Sequence, residues 1–208
     1  VRYRLAIFDF DGTLADSLPW FRHAINRLAD RHGFKRIETN ELAQLRGYSA
    51  RQMVAHLGVP TWKLPRISIE LRTLMAQEIG QVRPFAGVGA MLQGLSDRGV
   101  ALAVVTSNAE DNVRRVLGAE SAALIRDYAC GASLFGKRGK LRGVLKHSGV
   151  RPGEALFIGD ELRDLDAARA EGVPFGAVAW GYTHLEVLEA HAPAEVFADV
   201  GEIVGKIA

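Results

Sequence analysis

"LAIFDFDGTLADS", residues 5–17, decides how the rest of the chain reads. An apolar run from Leu5 to Phe8 leads into Asp9 and Asp11, with the apolar Phe10 between them, and breaks at Gly12. In an extended segment alternate side chains share a face, so both carboxylates point one way and Phe10 the other. Two like charges that close resist joint ionisation unless a cation or a proton is supplied. A buried strand that ends on such a pair therefore points to a site beyond its carboxyl end.

Four further runs resemble the first. "VALAVVT" (100–106), "EALFIGD" (154–160) and "PFGAVAW" (174–180) are continuously apolar rather than alternating, and "RDYACG" (126–131) is a weaker case. Continuous runs are the mark of parallel strands covered on both faces. Amphipathic stretches at 87–98, 109–118, 139–148 and 162–171 lie between them. Strand–helix alternation of this kind predicts a doubly wound parallel α/β sheet, a Rossmann-like core.

Residues 16–82 break that rhythm. "SLPWFRHAINRLADRHGF" has amphipathic spacing, with Ser17 as its N-cap and Pro19 tolerated in the first turn. "TNELAQLRG" and "SARQMVAHLG" each begin on a capping residue and end on glycine, and "PRISIELRTLMAQEIGQV" supplies another helix. The expected organisation is a core domain of residues 1–15 and 83–208 with an all-helical domain, 16–82, inserted after the first strand. "RPFAGV" (83–88) reads as the return linker.

The bulk numbers exclude several classes. The 208 residues carry 26 Lys+Arg against 24 Asp+Glu, a near balance, and the densest basic cluster, "GKRGKLR" at 136–142, is too short for a nucleic-acid footprint. Cys130 is the only cysteine, which rules out an intrachain disulfide and suggests a reducing compartment. No apolar run approaches a membrane span and no leader-like segment opens the chain, so a cytoplasmic location is expected.

Polar residues recur where the apolar runs end, and ligands of open α/β sheets bind beyond those ends. Asp9 and Asp11 close the first run, Thr106, Ser107 and Asn108 the second, and Asp160 and Glu161 the third. If a helix opens at Asp160, that residue caps it and Asp164 lies one turn along the same face. Such an oxygen-rich cluster suits a hard cation, Mg²⁺ above all. Lys137 or Lys140 could balance the anions and meet a phosphate. Thr106 to Asn108, opening a helix, form a phosphate cradle. The parts are those of metal-assisted phosphoryl transfer.

"DFDGTLADS", "VVTSN", a lysine before a helix and "IGDELRD", in this order, resemble the four motifs of the haloacid dehalogenase superfamily, and the resemblance covers nearly the whole chain. The helical insert resembles the cap of its phosphoglycolate phosphatase-like branch. The resemblance implies a phosphomonoester hydrolase working through an aspartyl-phosphate. Asp9 would be the nucleophile and Asp11 the acid/base. Lys137, placed nearer the preceding loop than Lys140, would be the motif lysine, and Thr106 would bind the phosphoryl group. Mg²⁺ would be held by Asp9, the backbone carbonyl of Asp11, and Asp160, with Asp164 in support. Asp11 also argues against a dehalogenase, because a halide leaves without a proton whereas an alkoxide needs one. A phosphonatase would need a Schiff-base lysine in the insert, and the surroundings of Lys35 and Lys63 do not suggest one. A sugar-phosphate mutase of the β-phosphoglucomutase type and a non-catalytic phosphometabolite-binding module stay open.

Specificity is expected in the insert, where Arg46 of "LRGYSARQ" could take a substrate carboxylate bidentately. The substrate would be a small phosphorylated metabolite, with the cap closing on hinges at 14–18 and 81–87 and the chain acting as monomer or homodimer. Trp180 and Tyr182 of "AWGYTH" either wall the site or pack the loop. Glu161 either adds charge near the metal or faces solvent at a helix N-terminus.

Overall fold

The structure is a computed structural model and describes residues 2–48, 50–132 and 136–208. Among these, β1 (Leu5–Phe8), β4 (Ala101–Val105), β5 (Asp127–Ala129), β6 (Ala155–Gly159), β7 (Phe175–Val178) and β8 (Glu195–Phe197) form one sheet in the order β5-β4-β1-β6-β7-β8. Every pairing in it is parallel, with Leu5 opposite both Ala101 and Ala155. Counting only these six, the order is 3-2-1-4-5-6, the doubly wound pattern in which chain direction across the sheet reverses beside the first strand.

The apolar runs are continuous because both faces of the sheet are covered. Ala6 and Phe8 pack with α5 (Val88–Asp97), α6 (Glu110–Leu124) and α10 (Glu202–Ile207). Leu5 and Ile7 pack with α7 (Gly136–Ser148), α8 (Leu162–Ala170) and α9 (Leu185–Glu189) on the other face. The four residues of β1 are each at most 1% exposed, so the strand is a central one with no polar face to offer.

Between β1 and α5 the regular structure of the described residues is helical apart from two short strands. β2 (Ala15–Asp16) and β3 (Arg83–Pro84) pair antiparallel, tying the point where the chain leaves the core to the point where it returns. Within that loop lie α1 (Leu18–His32), α2 (Leu42–Leu45), α3 (Ala50–His56) and α4 (Leu64–Glu78). Helix α1 tolerates Pro19 in its first turn and ends on Gly33, whose positive φ of 71° lets its N–H reach the Ala29 carbonyl. Trp20 on α1 donates to Glu78 of α4 at 3.0 Å, with Arg27 pairing to the same carboxylate, so the two long helices are fixed against each other. The expected cap at Ser49 lies outside the described residues.

The two-residue strands and β8 are additions to the sequence reading, and α6 runs beyond its expected end through a non-helical Gly118. Ser17 stands at the N-cap of α1 but makes no capping bond, because its hydroxyl turns to Asp11.

Candidate active site

The reversal of the sheet lies beside β1, and the carboxyl ends of β1, β4 and β6 bring the motif residues together there. Asp9 follows β1, is 1% exposed, and donates its backbone N–H to the Ile158 carbonyl of β6 at 2.9 Å. Asp160 follows β6 and Asp164 sits in the first turn of α8; both are fully buried. One carboxylate oxygen from each of Asp9, Asp160 and Asp164 lies within 4.8 Å of the others. Asp11 is outside that group, its side chain open to the adjoining cavity.

Each acid is held differently. Asp160 accepts the Thr13 hydroxyl at 2.7 Å and the Tyr182 backbone N–H at 2.7 Å. The surrounding backbone leaves no room for anything larger: a Cβ on Gly12 would stand 2.3 Å from Asp160 Oδ2, and one on Gly181 would stand 2.0 Å from Asp160 Cβ. Gly12 also needs its φ of +80°, which only glycine adopts without strain. Asp164 accepts the Glu161 N–H at 3.2 Å and meets Lys137 Nζ. Asp11 accepts the Ser17 hydroxyl at 2.8 Å and the Asn108 amide at 3.2 Å.

Lys137, near the start of α7, is the cation at the centre. Its Nζ meets Asp164 and lies 2.6 Å from Asp9 Oδ2. The second contact is an ion pair by distance without hydrogen-bond geometry, so Asp9 Oδ2 is a buried oxygen with no donor. Burial works against the Lys137 charge, but Asp164 and then Asp9 outweigh it and hold the amine protonated. Lys140, one turn on, is directed away from the acids onto the backbone carbonyls of Thr106 and Gly131. Both lysines are helical, so the distinction drawn from loop position is replaced by one of direction: only Lys137 reaches the carboxylates.

The electrostatics follow from too much negative charge in too little water. Burial first, and then the negative Asp9, push the Asp11 carboxyl up to about 6. Burial first, then Glu161 and Asp9, raise Asp160 well above the usual carboxylate range, and burial with Asp9 lifts Asp164 to about 7. Three buried acids share one ammonium among the described residues. With an Asp9 oxygen that is buried and takes no hydrogen bond, this fits a hard, oxygen-seeking cation bound between Asp9, Asp160 and Asp164.

Thr106, Ser107 and Asn108 link β4 to α6. The Thr106 hydroxyl accepts the Asn108 N–H at 3.0 Å, while Asn108 Oδ1 takes the Ala109 N–H and the Asn112 amide. Asn108 is therefore fixed from both sides with its amide aimed at Asp11.

Three sequence expectations are redrawn. The N-cap of α8 is Glu161, not Asp160: Glu161 and Asp164 form a capping box, while Asp160 is turned inward by Thr13 and Tyr182. Glu161 also pairs with Arg163. Arg46 donates to the Gly181 carbonyl at 2.7 Å, and its own carbonyl accepts the His184 N–H at 3.0 Å. That reciprocal pair joins the helical segment to the loop after β7. Of the two aromatics in that loop, Trp180 donates to the Thr13 carbonyl at 3.0 Å and packs edge-on against Phe85, whereas Tyr182 lines the cavity. Sequence reasoning did not single out Thr13, or the tie from Ser17 and Tyr182 to Asp11. Thr13 had a signal in the quoted stretch, directly after Gly12.

Fold and site together define a doubly wound α/β hydrolase with an acidic centre at the sheet's reversal. Residues 6–178 match the haloacid dehalogenase-like hydrolase family, and the chain belongs to it. It is 32% identical over 188 residues to a phosphoglycolate phosphatase of Synechococcus elongatus, spanning 90% of this chain and 89% of that one. It is also 30% identical over 194 residues to the tyrosine-protein kinase PtkA of Mycobacterium tuberculosis, spanning 89% of this chain and 65% of that protein. A haloacid dehalogenase-like hydrolase from Streptococcus pneumoniae shares the fold with a TM-score of 0.85 at 19% identity, covering 100% of this chain and 99% of that one. The protein is thus a hydrolase of the haloacid dehalogenase-like family.

Proposed function

We propose that the protein is a Mg²⁺-dependent hydrolase of small phosphomonoesters, like the phosphoglycolate phosphatases, working through an aspartyl-phosphate on Asp9. The observation that carries this reading is the buried Asp9 Oδ2, ion-paired to Lys137 but taking no hydrogen bond, within the cluster of Asp9, Asp160 and Asp164. Mg²⁺ held by Asp9 and Asp160, with Asp164 in support, would supply the positive charge that screens an incoming phosphate from the carboxylates.

Asp9 attacks phosphorus, and the bond from phosphorus to the alcohol oxygen breaks. Asp11, whose carboxyl is held near a pKa of about 6, gives its proton to that oxygen. The resulting carboxylate then takes a proton from water as the water attacks the phosphoryl group, which frees Asp9 and inorganic phosphate. Lys137 and the hydroxyls and N–H groups of Thr106 to Asn108 receive the non-bridging phosphate oxygens. Helices α1 to α4 act as a cap, residues 16–82, over a core of 1–15 and 83–208. The paired strands β2 and β3 sit at its root and support that division.

The test is release of inorganic phosphate from phosphoglycolate and an aryl phosphate with Mg²⁺ and with EDTA. Release that needs the metal and is lost in Asp9→Asn supports the proposal; full activity in Asp9→Asn contradicts it. Two other readings are separated by adding their own substrates, a sugar phosphate for one and ATP with a tyrosine peptide for the other. A mutase would move the phosphoryl group within a sugar phosphate, and a kinase would move it from ATP to a tyrosine peptide.

A further inference from the structure

A cavity of about 540 Å³ opens directly off Asp11 and Asn108 and runs into the helical segment. Pockets of roughly 300–1,000 Å³ are the size that encloses a drug-sized ligand. A two-carbon acid esterified to phosphate would leave most of this one unfilled. At the core end it is polar, touching Asp11, Asn108, Arg163 and Tyr182. Away from that end its wall is chiefly apolar and aromatic, including Phe21, Tyr48, Ile67, Leu71 and Met75.

The charges on the helical side have one sign. Arg22, Arg46 and Arg72 are the charged side chains that α1 to α4 and their connections contribute to the wall, and the two acids among the described lining residues, Asp11 and Glu161, both belong to the core side. Arg46 Nε is buried without an acceptor. On the helical side an apolar body is favoured by burial, an oxygen acceptor has donors to meet, and a cationic group meets arginines while the lining carboxylates, Asp11 and Glu161, stay on the core side.

We propose that the preferred substrate is a phosphomonoester whose alcohol carries an apolar body much larger than glycolate, neutral or anionic but not cationic, seated among α1 to α4. This rests on the phosphomonoesterase reading and adds the class of leaving group. The phosphate would stay at the core end, and the body would displace water from the apolar wall.

The experiment is a series of straight-chain alkyl phosphates, propyl to octyl, assayed for phosphate release with Mg²⁺ on the wild-type protein, alongside phosphoglycolate, an aryl phosphate and aminohexyl phosphate. Leaving-group chemistry is nearly constant along the alkyl series, so kcat/KM reports the pocket. Each methylene fully buried is worth about fourfold. The expected result is a rise in kcat/KM of at least about tenfold from propyl to hexyl, with aminohexyl well below hexyl phosphate. Leu71→Trp, which fills the wall, should flatten that slope. Phosphate release with a flat or falling slope and phosphoglycolate preferred would overturn the inference and leave the phosphatase reading intact. No release from any substrate would overturn both.

Discussion

The hydroxyls of Ser17 and Tyr182 meet at 2.8 Å across 165 positions of sequence, and the Ser17 hydroxyl donates a hydrogen bond to Asp11 at 2.8 Å. The loop that carries Tyr182 also donates its backbone N–H to Asp160 and, through Gly181, accepts Arg46. One loop therefore touches the proposed acid/base, a proposed metal ligand and the helical segment. Asp11 is oriented from two directions, by Ser17 and by Asn108.

Loosening that support should slow chemistry more than binding. A hydrogen bond to a charged group is worth about 1.5–3 kcal/mol, so Ser17→Ala should lower kcat by roughly ten- to hundredfold. Tyr182→Phe, one contact further out, should cost less. Steady-state kinetics check this, with KM for a short phosphomonoester changing little in either variant.

Removing the proton carrier should depend on the leaving group. Asp11→Asn should lower kcat for an alkyl phosphate by about 10²–10⁴-fold. An aryl phosphate, whose phenolate leaves with little help, should be hurt less in the first step. Burst kinetics on the two substrates compare the effects directly.

Metal binding and pH should be linked through the raised carboxyls. Asp11 at about 6 and Asp164 at about 7, with Asp160 also raised, hold protons in the folded protein that the unfolded chain has already lost. Below the ordinary carboxylate range these groups contribute nothing. As pH rises from about 4 through 7 the metal-free protein loses stability, because the folded state binds more protons than the unfolded one. A cation relieves that cost by binding the ionised form, so its affinity rises as the protons leave. The rise in Tm on adding Mg²⁺ should therefore be small at pH 5 and larger at pH 8. A shift independent of pH would show that the acids do not bind the ion.

Backbone space around Asp160 makes a sharp contrast between two glycines. Gly181→Ala would set its Cβ 2.0 Å from Asp160 Cβ, so the loop or the acid must shift. Thermal melting should show a clear loss of stability, and Mg²⁺ should stabilise the variant less than wild type. Gly205, inside α10 with nothing within 4 Å of an added Cβ, is the control. There alanine should raise stability by up to about 1 kcal/mol, from helix propensity alone.

Much of this was legible in the chain because buried parallel strands have no polar face to disguise them. β1, β4, β6 and β7 fall inside the expected apolar runs, and Asp9 and Asp160 stand directly beyond two of them. β8 was not legible, since only Phe197 of its three residues is fully buried and the strand is an edge. β2 and β3 have two residues each, too few to carry a period. The cap of α8 was misassigned by one residue because Asp and Glu are both acceptors for an N-terminal turn. What decides is the inward pull of Thr13 and Tyr182 on Asp160, a tertiary contact with no local signature. The same holds for Ser17, whose sequence neighbours all suggest a helix cap while its hydroxyl serves Asp11. The size and sign of the cavity depend on how α1 to α4 pack, which no single helix pattern encodes.

The central claim is that Asp9 carries the phosphoryl group. Rapid acid quench of the protein turning over an alkyl phosphate with Mg²⁺, followed by peptide mass spectrometry, tests it directly. The account predicts one added phosphoryl group on the peptide containing Asp9, absent in EDTA and absent in Asp9→Asn. Phosphate release at full rate with Asp9 replaced, or a phosphoryl group trapped on another residue, would contradict it.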